Sequence, residues 1–154
     1  MTDSTATAAA AAAGKKSLQG IKGWLILPAI NLSLGVILGI FSQVAAVGQH
    51  SEIAAAGYGD IFLVELALDA GLLLLLIYAT VLFFSKKRRA PAIIITYFAL
   101  NFVLANLVVI IEIVFGITDF VLSNMDSVLK NLFMAALWIP YFVISKRVKA
   151  TFVK

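Results

Sequence analysis

Residues 61–89 read IFLVELALDAGLLLLLIYATVLFFSKKRR. Over residues 61–84 the run holds no lysine or arginine, and then Lys86, Lys87, Arg88 and Arg89 arrive together. A helix needs about 20 apolar residues to cross the hydrocarbon of a bilayer. The segment 61–84 has that length, and the bases behind it place their charge among the headgroups. Two carboxylates, Glu65 and Asp69, lie within the apolar run. The stretch therefore reads as a membrane span that carries acids at depth.

Three further segments have the same character: 24–47, 92–115 and 128–145. The fourth contains Lys130 near its start and Pro140 near its end, and a lysine one turn inside can reach the headgroups along its alkyl stem. The whole 154-residue chain agrees, with 62% hydrophobic residues, 13% charged residues and a mean hydropathy of +1.05. A bilayer protein has that composition, and a water-soluble domain does not. Cysteine is absent, which excludes disulfide and thiolate chemistry, and the single histidine, His50, has no second histidine for a zinc pair.

The bases set the orientation. Lys15, Lys16 and Lys22 precede the first span, the four bases at 86–89 lie between the second and third, and Lys146, Arg147, Lys149 and Lys154 follow the fourth. The connections 48–60 and 116–127 have no lysine or arginine and carry Glu52, Asp60, Asp119 and Asp126. The positive-inside rule then puts both termini in the cytoplasm. The formal charge of +4 is a topology signal, and no nucleic-acid partner is expected. Val44-Ala45-Ala46 gives a look of signal cleavage, but the first span is about twice the usual signal core.

The expected fold is all-α: a polytopic membrane protein with four transmembrane helices in a compact bundle. Residues 1–19 are expected as a disordered alanine-rich cytoplasmic tail, 20–148 as the transmembrane domain and 149–154 as a basic cytoplasmic end. Asn31, Gly35, Gly39 and Ser42 share one face of the first helix, with Gly35 and Gly39 forming a GxxxG pair. Small residues let helix backbones approach closely where lipid provides no hydrophobic drive. Packing against the second span is the preferred reading, and a homodimer seam is the alternative. Pro28 fits a first helical turn, whereas Pro140 predicts a kink near Ala136 or Leu137.

Gly57-Tyr58-Gly59-Asp60 spells the end of a potassium-channel filter and also the G-x-G-D of intramembrane aspartyl proteases. A filter needs a pore helix before it, and the connection is too short for one. The protease chemistry needs two facing aspartates at membrane depth, and Asp60 lies at the surface. Neither activity follows.

Glu65 and Asp69 project from one helix face, roughly 7 and 13 Å below the outer surface. With Asn101, Asn106, Glu112 and Lys130 they form a candidate buried polar cluster. Charges at such depth are costly, so these groups should face the bundle interior. Two readings follow: a proton or cation relay entered from outside, or a structural set in which Lys130 neutralises Glu65 or Glu112 and a protonated Asp69 is bonded to an asparagine or a backbone carbonyl. Below Asp69 the span is apolar, which argues against a through-path in one chain.

Gly23-Trp-Leu-Ile-Leu-Pro-Ala-Ile30 and Ser145-Lys-Arg-Val-Lys-Ala-Thr-Phe152 resemble the YdgK-like family of bacterial inner-membrane proteins of unknown function. The resemblance covers about residues 20–152 and implies a bacterial inner membrane, four spans and cytoplasmic termini. It brings no activity and no catalytic residues. The expected role is non-enzymatic, as an accessory or scaffold subunit of a larger membrane complex. The rival is a small proton- or cation-coupled transporter acting as an oligomer. No catalytic residue, cofactor or metal is expected. The expected partners are the lipid bilayer, anionic lipid at the cytoplasmic face and other membrane-protein subunits, with a homodimer also open.

Overall fold

A computed structural model of the chain describes residues 20–55, 57–114 and 118–153, leaving aside the side chains of Glu112 and residues 118–124. The tail 1–19, Lys154 and the Glu112 carboxylate thus lie outside the described residues. A 3-10 turn, Gly23–Leu25, leads into α1 (Ile26–Ala55). Then follow α2 (Gly59–Phe84), α3 (Ala90–Val114), α4 (Thr118–Ile144) and the short α5 (Lys146–Thr151). Each of the first four contains a stretch long and apolar enough to cross a membrane. In lipid every backbone amide and carbonyl must be satisfied within the segment, so apolar runs of this length fold as helices. Their packing as a bundle makes this an all-α, multi-pass membrane protein.

Two of the helices run further than the apolar spans do. α1 continues through Gln49, His50 and Glu52 to Ala55, and α4 begins at Thr118. At 30 residues α1 is about 45 Å long, some 15 Å more than the hydrocarbon thickness. The physical reason is that hydropathy marks where lipid ends, whereas a helix ends where a breaker appears. That breaker is Gly57. Its φ of +89° lets the chain turn out of α1, with Gly57 N–H donating to Ala54 O and Tyr58 N–H to Ile53 O. This is a Schellman cap, which favours glycine at the left-handed position. A Cβ on Gly59 would lie 3.0 Å from Ala54 Cβ, so the second glycine permits the close α1–α2 hairpin. The look-alike at 57–60 is thus a helix cap and a tight turn.

The α2–α3 turn uses the same cap with a different residue. Lys86 takes a φ of +53°, Lys86 N–H donates to Phe83 O and Lys87 N–H to Leu82 O. A lysine there costs about 1–2 kcal/mol relative to a right-handed position.

The apolar core sits toward the basic end of the bundle. Leu25, Leu32, Leu76, Phe83, Ile94, Phe98, Trp138 and Phe142 are buried together, with Val148 and Phe152 from beyond α4. Ser145 caps α5, its Oγ accepting from Val148 N–H at 3.4 Å. The cap turns the chain back so that Phe152, 4% exposed, meets Phe83 at 5.2 Å between ring centroids. Arg147 Nη1 donates to Lys22 O at 2.9 Å and lies 3.3 Å from where a Cβ on Gly23 would stand. The division expected after residue 148 therefore falls inside a helix that packs into the core.

Candidate functional site

Packing proceeds in chain order, α1 on α2, α2 on α3 and α3 on α4, with no close pairing of α4 back onto α1 among the described residues. The glycine face of α1 meets α2. A Cβ on Gly35 would stand 3.3 Å from Leu76 Cδ2, and one on Gly39 only 2.7 Å from Leu73 Cδ1. Further toward the acidic end the helices diverge and enclose a cavity of about 340 Å³. Its polar wall consists of Ser42 from α1, Glu65 and Asp69 from α2, Asn101 from α3, and Ser127 and Asn131 from α4. Leu72 and Leu104 contribute to the apolar lining. At about 30 Å³ for each water in the liquid, the volume has room for roughly ten.

The structure brings three residues of the expected cluster together and leaves Asn106 and Lys130 outside the cavity lining. Glu65 and Asn101 are half-buried and Asp69 is exposed, all three on the cavity wall. Asn101 Nδ2 donates to Tyr97 Oη at 3.1 Å, one turn back on its own helix. Asn106 does not reach the cavity, because its Nδ2 donates to Phe102 O at 2.7 Å. Lys130 is exposed and does not line the cavity, although Ser127 and Asn131 on either side of it do. The reason is geometric. Among the described residues α1 and α4 make no close pairing, so Asp69 and Asn101 face a cavity rather than a packed helix. Asn31 is half-buried, and Ser42 belongs to the cavity rather than to the close α1–α2 contact.

Reading by depth and charge passed over Ser127 and Asn131 as cavity residues. A signal was present, since Ser127, Asn131, Ala135, Trp138 and Phe142 recur at helical spacing and share one stripe of α4. Toward the basic end, polar side chains turn to their own backbone: Thr80 Oγ1 donates to Leu76 O at 2.7 Å and Thr96 Oγ1 to Ala92 O at 3.0 Å. No three His, Asp or Glu side chains converge as metal ligands among the described residues. Below Leu72 the bundle closes on Leu76, Ala79 and Phe83, so the cavity ends on an apolar floor.

Both ends of this architecture, the Gly23 turn and the α5 fold-back, fall within a single family match. Residues 18–153 match the model described as "Protein of unknown function (DUF2569)". The chain belongs to the DUF2569 family. Neither the curated proteins nor the solved structures contain a match to this DUF2569 member. The match takes in all four long helices, the cavity and the closed basic end.

Proposed function

We propose that this DUF2569 member is a non-enzymatic accessory or scaffold subunit of a larger complex in the bacterial inner membrane, with the basic end of the bundle cytoplasmic. The observation that carries this reading is the apolar floor beneath the cavity. A transport path needs polar groups continuing to the opposite face, and here Leu76, Ala79, Phe83 and Phe98 fill that route. The absence of cysteine and the single histidine support a role without chemistry. The likeness of segments 23–30 and 145–152 to YdgK-like proteins supports the bacterial inner membrane, and the distribution of bases supports the orientation. Anionic lipid fits the same basic end, where each lysine or arginine near the surface contributes about 1 kcal/mol.

A second reading, proton- or cation-coupled transport, draws on one observation: Asp69 is exposed on the wall of a half-enclosed cavity. Purified protein in sealed vesicles separates the two. The accessory reading expects no pH-driven flux, together with stable subunits co-purifying at fixed ratio from native membranes. Flux seen with the parent and abolished by Asp69→Asn overturns it, because an amide cannot release a proton.

A further inference from the structure

Lys130 presents a problem that the single chain leaves open. It lies within the apolar window Met125–Ile144, and its side chain is exposed on the bundle surface. An ammonium inside a span either reaches along its stem to the headgroups or pairs with an opposite charge at its own depth. Counted from the basic ends of their helices, Ile144 and Phe84, Lys130 lies about 21 Å and Asp69 about 22.5 Å in, and Ser127 and Asn131 on either side of the lysine line the cavity. The lysine is thus at the level of the acidic cavity. It stands about 100° around α4 from Asn131, which lines that cavity.

The cavity poses the complementary problem. The Asp69 carboxylate faces it, and no lysine, arginine or histidine lines it among the described residues. Among the described residues no close α1–α4 pairing closes the ring, and this is the side on which a group from outside the chain can enter. We propose that the chain self-associates through this gap, the Lys130 ammonium of one copy entering the acidic cavity of the next to pair with Asp69. The flexible four-carbon stem lets the ammonium reach from the surface of α4 into the cavity of the neighbouring copy. A two-fold arrangement makes the contact reciprocal, so each copy gives one lysine and receives one. This goes beyond an accessory role, since it assigns the cavity an occupant and explains why a charge sits on the lipid-facing side of α4.

Charge exchange between copies provides the test. The chain has no cysteine, so a single cysteine at Gly48, where a Cβ meets nothing within 4 Å, carries the fluorophores. Energy transfer is measured between donor- and acceptor-labelled protein in vesicles of neutral phospholipid. The parent is expected to show transfer, and Lys130→Glu alone and Asp69→Lys alone are each expected to lose it. Mixed in one vesicle, the two variants should regain it. The carboxylate introduced at position 130 of one copy then meets the ammonium introduced at position 69 of the other, and the remaining lysine meets the remaining aspartate. A contact within one chain gives no such rescue. Lys130→Met, which removes the charge without reversing it, should also weaken transfer. No transfer in the parent, transfer that survives in either variant alone, or no recovery in the mixture overturns the proposal; the first result leaves the cavity to a lipid amine or to a helix of another protein.

Discussion

Gly39→Leu probes the closest approach between α1 and α2. A Cβ at position 39 would lie 2.7 Å from Leu73 Cδ1, 3.8 Å from its Cγ and 4.0 Å from its Cδ2. Comfortable carbon contacts fall at about 3.5–4.0 Å, so even alanine intrudes by roughly 1 Å. The obstacle is the far end of a half-buried leucine, which can rotate away. Overpacking of this kind costs about 1–3 kcal/mol, and replacing glycine in a helix interior returns about 1 kcal/mol. Gly39→Ala should therefore change stability by a net loss of about 0–2 kcal/mol. Leucine extends past Leu73 toward the α2 backbone, which cannot rotate, and its cost should reach or exceed about 3 kcal/mol. Gly71 serves as the control, because a Cβ there meets nothing within 4 Å; Gly71→Leu should cost nothing and gain up to about 1 kcal/mol from the lost glycine. Adding Leu73→Ala to Gly39→Leu should recover about 1–3 kcal/mol relative to the sum of the single changes. Thermal melting in detergent, followed by circular dichroism, reads all four. A Gly39→Leu protein that melts with the parent, or a pair of changes that simply add, would refute the close contact.

Phe152→Ala should cost about 3–5 kcal/mol, since the ring is 4% exposed against Phe83, whereas Val153→Ala next to it, at 57% exposure, should be near neutral; the same melts decide. Gly23→Ala should cost about 1–2 kcal/mol for its φ of +57° and crowd the Arg147 guanidinium, which will show as faster trypsin cleavage after Lys22. Equal cleavage rates in parent and variant would deny that strain. Reporter fusions at Gly48 and Asn124 should read as outside the cytoplasm and one at Arg89 as inside, and an external Arg89 would reverse the orientation.

The four long helices were legible because the lipid requirement is strong and simple: about 20 apolar residues, ended by charge. The helix ends at the acidic side were less so. Residues 49–55 and 118–127 are polar enough to leave lipid yet contain no proline to stop a helix, so hydropathy placed the boundary too early. Glu65, Asp69 and Asn101 could be placed by depth and face, but that they would line a cavity depended on how the four helices pack, which is a property of tertiary structure. The α5 fold-back was hidden by its bases. Lys146, Arg147 and Lys149 read as a surface tail, while Ser145 as N-cap and Val148 with Phe152 four residues on were the evidence for a packed turn.

The bond from Arg147 to Lys22 O joins residues 125 apart in sequence. On a ribosome adding about 5–20 residues each second, Lys22 emerges roughly 6–25 s before its partner exists. Throughout that interval α1 through α4 can insert and pair, yet Leu25 and Phe83 lack the cover that Val148 and Phe152 later give the cluster. The apolar core at the basic end is thus the last part to be completed. Its assembly is a post-insertion event at the membrane surface, and a nascent chain halted before Ser145 presents an open aromatic face to whatever machinery attends it.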